Sequence, residues 1–204
     1  MPKSTAKNYC EVSDSDNLNL NYLRKQWKYL LKHAKIEGKV LDAGCSTGAQ
    51  MLTLKELGRE VYGADFDAKA VEICKGKGLE AKKWDAEQGK LPFRNDFFDS
   101  VYSFHLIEHI SKPDKFISEI KRVLKPNGTL LILTPNFEHD YREFYHDHTH
   151  IHPYNLRGIE RLLEQNNFEK YFSIGKYGHA KFLWRFGIFG NFGKAALVAA
   201  KNVK

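Results

Sequence analysis

The run Val40-Leu41-Asp42-Ala43-Gly44-Cys45-Ser46-Thr47-Gly48 limits what this chain can fold into more than any other stretch, because it reads as a buried strand entering a loop of small residues. A second strand, Val61-Tyr62-Gly63-Ala64, closes on the acidic Asp65. Glycine lets the backbone approach a ligand closely, and a helix after such a loop points its positive N-terminus at an anionic group. A carboxylate about 20 residues beyond the first strand is placed to accept hydrogen bonds from ribose hydroxyls. Together these features describe a nucleoside-cofactor site. A dinucleotide fold asks for G-x-G-x-x-G, whose second glycine opens space for a pyrophosphate. This loop has Gly44 and Gly48 with Cys45, Ser46 and Thr47 between them, which does not suit a pyrophosphate.

The rest of the chain alternates in kind. Leu20, Leu23, Trp27, Leu30 and Leu31 draw an apolar helical stripe ahead of the first strand, Val40 to Asp42. Helices are expected near Thr47 to Leu57, Ala68 to Lys75 and Pro113 to Leu124, and strands at Glu60 to Ala64, Ala81 to Trp84 and Asp99 to Phe104. Lys125-Pro126-Asn127-Gly128 reads as a stop signal before a fifth strand, Thr129 to Leu133. A long histidine-rich connection follows, then a helix capped by Asn155 and ending near Asn167. Strands at Glu169 to Lys176 and Lys194 to Lys201 pair as an antiparallel edge. The expected class is α/β: a Rossmann-like, mostly parallel seven-stranded sheet with helices on both faces and an antiparallel C-terminal edge.

The 204 residues read as one domain, with 1–16 flexible, 17–35 an N-terminal helix, 36–134 a cofactor-binding core, and 135–204 an acceptor-side loop, helix and terminal strand pair. At 42% hydrophobic and 28% charged residues, the composition is that of an ordinary soluble domain. Cys10, Cys45 and Cys74 are widely spaced without a C-x-x-C pair, which argues against a disulfide framework and for a reducing, cytoplasmic setting. No signal peptide and no bilayer-length apolar run is present. The formal net charge of +7 is spread along the chain; it reads as a solvated basic surface, and it permits contact with nucleic acid or anionic lipid.

Leu41-Asp42-Ala43-Gly44-Cys45-Ser46-Thr47-Gly48 resembles the first motif of the class I S-adenosylmethionine-dependent methyltransferases, with Ser46 where that family more often has glycine. The resemblance covers roughly residues 36 to 170 and implies S-adenosylmethionine as cofactor. Asp42 would meet the cofactor's ammonium, and the backbone of Ala43, Gly44, Cys45, Ser46 and Gly48 would wrap its methionine moiety. Asp65 would take the ribose hydroxyls, Phe66 would lie against adenine, and Asp85 with Ala86 would contact the adenine amine. Asp67 reads as a helix cap. Gly44-Cys45-Ser46-Thr47-Gly48 also satisfies the G-x-S-x-G nucleophile elbow of α/β-hydrolases, with Ser46 as nucleophile, but the strands that build an oxyanion hole ahead of that elbow have no room here.

On the acceptor side, His105, Glu108 and His109 follow the fourth strand, and His146, His148, His150 and His152 follow the fifth. The segment resembles one in ubiquinone-biosynthesis O-methyltransferases and small-RNA 2′-O-methyltransferases, where an E-x-x-E-H pattern and, in the RNA enzymes, a later histidine hold a metal. His105 replaces the first glutamate, and His150 matches the later histidine. The resemblance implies His105, Glu108, His109 and His150 as catalytic residues and as candidate ligands of a divalent metal; without metal, His105 or His150 would act as general base. His146, His148 and His152 are expected to face solvent. The aromatic residues 182–192 are read as packing locally, as a cover for a small-molecule acceptor pocket, or, across 181–194, as a contact with membrane or nucleobases. The expected activity is O-methylation of a small or lipid- or sugar-linked metabolite; RNA 2′-O-methylation and a non-catalytic cofactor-binding module are the alternatives.

Overall fold

The computed structural model describes residues 20–175 and 195–204. The expectations for residues 1–16 and for the aromatic stretch 181–194 lie outside them. The described elements run α1 (Leu20–His33), β1 (Lys39–Ala43), α2 (Ala49–Glu56), β2 (Glu60–Asp65), α3 (Ala68–Gly76), β3 (Glu80–Lys83) and β4 (Phe98–Phe104). A 3₁₀ turn (Ile107–His109) follows, then α4 (Pro113–Val123), β5 (Leu124–Pro135), α5 (Phe137–His146), α6 (Leu156–Gln165), β6 (Phe168–Ile174) and β7 (Ala195–Asn202). The seven strands form one sheet in the order β3-β2-β1-β4-β5-β7-β6. Every neighbouring pair from β3 to β5 is parallel, while β7 lies antiparallel to both β5 and β6.

Alternation along the strands sends side chains to two cores. Leu41, Ala43, Val101, Leu130, Ile132 and Val198 pack with Phe116, Ile117 and Ile120 of α4 and with Ile159, Leu162 and Leu163 of α6. Val40, Tyr102, Leu131, Leu133 and Leu197 face the other way, onto Trp27, Leu30 and Ala34 and onto Leu54 of α2. A sheet buried on both faces favours the apolar runs seen in β1, β5 and β7. Helix α1 buries Leu23, Gln26, Trp27 and Leu30, one helical face, and Trp27 and Leu30 join this second core. Among the described residues no helix is long and apolar enough to cross a membrane.

Two local expectations need correction. Lys125-Pro126-Asn127-Gly128 does not separate α4 from β5, because β5 begins at Leu124 and contains it. Phe98 opposes Leu124 and Ser100 opposes Thr129, so these residues bulge against Asp99, with Asn127 at φ 61°. Proline has no N–H to give a ladder, and a bulge accommodates it without ending the strand. The histidine-rich connection is not one loop either, since α5 occupies Phe137–His146. Asn136 caps that helix by accepting from the N–H of Glu138 at 3.3 Å.

Candidate functional site

The strand order reverses direction between β1 and β4, and the crevice beyond the carboxyl ends of such strands is where open α/β sheets bind ligands. Asp42 lies in β1 and Asp65 ends β2; Asp85 stands two residues past β3. Because β1, β2 and β3 are parallel, all three acids lie at the same edge of the sheet.

The loop between β1 and α2 is built by its backbone. Gly44 and Cys45 both donate N–H to the Ala64 carbonyl, at 2.8 and 3.1 Å, and Gly48 donates to Cys45. Gly44 has φ 94°, and a Cβ there would come within 3.1 Å of Leu106 Cδ2. Gly48 has φ 84° and would drive a Cβ within 2.7 Å of Leu79 Cδ1. Side chains at these positions would be strained as well as crowded. Ser46 takes a left-handed φ of 45°, which aims its N–H at Asp65 Oδ2, 2.7 Å away. Its unusual backbone therefore ties the turn to the end of β2. Asp65 Oδ1 accepts from the N–H of Asp67 at 3.0 Å, and a carboxylate with two bonds still has lone pairs for two hydroxyls. Burial raises the Asp65 pKa, against the lowering effect of those N–H donors.

Asp42 is 3% exposed and accepts from the Tyr102 hydroxyl at 2.7 Å. Burial pushes its carboxyl up to about 8; the Tyr102 bond opposes that shift and the neighbouring Asp65 charge adds to it. Trp27 packs edge-on against Tyr102, its ring centroid 4.8 Å away, and donates its indole N–H to Gln50 Oε1 at 2.6 Å. Helix α1 thus backs Tyr102 and, through it, Asp42, a role that α1's sequence did not signal. Phe66 is 55% exposed at the rim, open to a flat partner. Asp85 is exposed and caps its own turn through the Glu87 N–H, with Ala86 half-buried beside it. Asp67 caps α3 through the Lys69 N–H at 2.8 Å.

The acceptor side begins at His105, whose φ of 52° turns the chain out of β4 while its N–H donates to Leu133. The turn lays Leu106 over Gly44, so the two halves of the site touch. Glu108 is wholly buried, and its Oε2 accepts from Thr134 Oγ1 at 3.0 Å. Its Oε1 has no hydrogen-bond partner among the described residues, although His105 Nδ1 stands 3.4 Å away. The Glu108 carbonyl accepts from the N–H groups of Ile151 and His152, at 2.8 and 3.1 Å, which docks the histidine-rich segment on the 3₁₀ turn. His109 Nδ1 lies 3.2 Å from the Thr149 carbonyl and 2.9 Å from Thr149 Oγ1. His150 Nδ1 lies 2.8 Å from the Phe144 carbonyl.

Ligand atoms of Glu108, His109 and His150 all lie within 4.8 Å of one another. His105 is outside this group, its side chain 56% exposed. His146 and His148 are exposed. His152 departs from the expectation of solvent: it is half-buried, and its Nε2 is buried without a hydrogen bond among the described residues. Tyr102, Thr134 and Thr149 escaped sequence reading because they act through neighbours remote in the chain. Asp42 and Tyr102, for instance, meet only because β1 adjoins β4.

A loop of small residues, acids along one rim and a polar mouth beyond β4 and β5 define a Rossmann-like domain with a ligand crevice at the carboxyl ends of its strands. A methyltransferase-domain family matches residues 41–132. In sequence the chain is similar to class I S-adenosylmethionine-dependent methyltransferases. It is 29% identical over 150 residues to a "Probable S-adenosylmethionine-dependent methyltransferase" of Mycolicibacterium smegmatis, covering 72% of this chain and 58% of that one. It is 33% identical over 104 residues to a ubiquinone biosynthesis O-methyltransferase of Bartonella bacilliformis, covering 48% and 41%. The chain therefore spans about half the length of these relatives. In fold it is similar to a methyltransferase solved in complex with the Haloferax volcanii Trm112 methyltransferase activator, with a TM-score of 0.75 at 15% identity over 100% of both chains.

Proposed function

We propose that this domain transfers the methyl group of S-adenosylmethionine to a hydroxyl oxygen of a small or lipid- or sugar-linked metabolite, in the cytoplasm. The observation that supports this reading most is the close approach of Leu106 to Gly44, which brings the segment that carries Glu108 and His109 towards the Gly44 turn. On the donor side, Asp65 holds the ribose hydroxyls and Asp42 the ammonium, while the Gly44 turn leaves room for the methionine moiety. Rigid placement of the two reactants supplies most of the acceleration. The acceptor oxygen forms its bond to the methyl carbon as the carbon–sulfur bond breaks, and without a bound metal the hydroxyl proton passes to an imidazole nitrogen of His105 or His150.

The acceptor cluster also suits a divalent cation. Among the described residues Glu108 Oε1 is buried without a hydrogen bond, with His105 Nδ1 3.4 Å away, an arrangement that is costly unless a positive group, His105 or a bound cation, answers it. Glu108, His109 and His150 would hold the ion, which when bound supplies a Lewis acid that lowers the pKa of the acceptor hydroxyl. The similarity to a ubiquinone biosynthesis O-methyltransferase favours an oxygen acceptor.

Two measurements test the reading. Calorimetric titration with S-adenosylmethionine should show binding that Asp65→Ala weakens by at least about tenfold, since hydrogen bonds to a charged group contribute about 1.5–3 kcal/mol. Transfer of a tritiated methyl group to extracted metabolites, lipids and RNA should label the metabolite or lipid fraction. Label confined to RNA would move the assignment to ribose methylation, and binding without any labelled acceptor would leave a non-catalytic module.

A further inference from the structure

We propose that Cys45 and Cys74 form a reversible redox pair, closed to a disulfide by hydrogen peroxide, that weakens ligand binding at the loop between β1 and α2. The effect on binding rests on reading that loop as the S-adenosylmethionine site; the disulfide itself does not. Cys45 belongs to the loop and Cys74 to α3. Both are buried free thiols, gathered in one cluster with Met51, Val71, Leu79 and Ala81. Their side chains are hydrogen-bonded to each other. Cys74 Sγ also donates to the carbonyl of Ser46, the residue after Cys45, at 3.2 Å. Two glycines leave room for the sulfurs: a Cβ on Gly63 would fall 2.7 Å from Cys45 Sγ, and one on Gly48 would fall 2.9 Å from Cys74 Sγ.

The two thiols divide the chemistry. The hydrogen bond from Cys45, helped by the Lys77 charge and opposed by burial, holds the Cys74 thiol below its usual range, while the same bond and burial push the Cys45 thiol up. Lys77 Nζ donates to the Thr47 carbonyl at 3.0 Å, which keeps that charge at the loop. Peroxide oxidises the thiolate, so Cys74 attacks it, takes one oxygen as a sulfenic acid and releases hydroxide. Cys45 sulfur then attacks the sulfenic sulfur: the sulfur–sulfur bond forms, the sulfur–oxygen bond breaks, and the hydroxyl leaves as water with the Cys45 proton. Two electrons pass from the pair to one peroxide, which ends as two waters. Ser46 is exposed and Gly44 half-buried, so Cys45 lies one residue beneath the crevice surface, within reach of so small an oxidant. Drawing the sulfurs to a bond of about 2.05 Å takes Cys74 off the Ser46 carbonyl and pulls Cys45 towards α3. Gly44 and Cys45 share the Ala64 carbonyl, and Ser46 N–H donates to Asp65, so the displacement reaches the Gly44 turn and the Asp65 carboxylate.

The test uses the full chain carrying Cys10→Ser, which leaves these two thiols alone, reduced and then treated with hydrogen peroxide. Expected are the loss of both thiols to a maleimide probe, a Cys45–Cys74 cross-linked peptide by mass spectrometry, and recovery of both thiols with dithiothreitol. Calorimetric affinity for S-adenosylmethionine should fall about tenfold on closure and return on reduction. Coupling of this kind is reciprocal, so in a dithiothreitol redox buffer saturating S-adenosylmethionine should raise the midpoint potential of the pair by about 30 mV for a tenfold effect. Cys74→Ala should keep its affinity through peroxide treatment; if that variant does not fold, the loss and recovery in the parent decide the matter. Sulfinic acid on either cysteine without a cross-link would overturn the pair. A cross-linked protein that binds S-adenosylmethionine as tightly as the reduced one would overturn the switch. A reduced parent that binds no S-adenosylmethionine would overturn the donor reading of the loop and the switch with it, while the thiol count still reports on the disulfide.

Discussion

Among the acids on the β1 to β3 rim, Asp42 carries a charge set strongly by burial. Its carboxyl titrates near 8 in the folded chain because burial outweighs the Tyr102 hydrogen bond, with the Asp65 charge adding to the shift. An unfolded aspartate titrates near about 3.9. Between those values the native state keeps a proton that the unfolded chain releases. Asp42's contribution to stability is therefore fully present below about pH 4 and falls as pH rises to about 8, by at most about 1.4 kcal/mol per unit. Urea midpoints of the ligand-free protein should decline from pH 5 to 8, and Asp42→Asn should flatten that slope; equal slopes in both proteins would exonerate Asp42. An ammonium placed beside Asp42 favours its ionised form, so donor binding at neutral pH should release a proton, visible as a buffer-dependent heat. The acids themselves could be read from the chain because each follows a strand. Tyr102 could not, because its tie to Asp42 exists only once β4 lies against β1.

Helix α6 shows how much an element's own residues decide. Asn155 Oδ1 accepts from the Gly158 N–H at 2.8 Å, and Ile159, Leu162 and Leu163 then bury one face in the core beneath β7. Asn155→Ala should lower stability by about 1 kcal/mol, measured by chemical denaturation, since the cap satisfies an otherwise orphan donor. Cap and apolar spacing were both visible in sequence, and the helix was expected where it occurs. α5 has the same kind of cap in Asn136, but histidines and acids surround its anchor Phe144 and masked the helical spacing. The excursion at Lys125 to Gly128 misled for the opposite reason. Proline and glycine announce a break, yet pairing of Leu124 and Thr129 with β4 holds the strand together on either side of it.

At the scale of the molecule, the alternation of strand and helix was enough to anticipate a parallel sheet covered on both faces, whereas the order of its strands needed tertiary structure. Trp27 joins these levels: wholly buried, stacked on Phe104 and edge-on to Tyr102, it ties α1 to the core behind the donor site. Trp27→Ala should cost about 3–5 kcal/mol by denaturant unfolding, and weaken S-adenosylmethionine binding at temperatures where the variant remains folded. The site itself is divided by its supports. Asp42, Asp65 and Asp85 come from β1 to β3 and their ends, and the groups at the mouth come from the chain after β4 and β5. Substitutions beyond β5 can therefore reshape the mouth over evolutionary time while the acid-lined half on β1 to β3 is inherited intact.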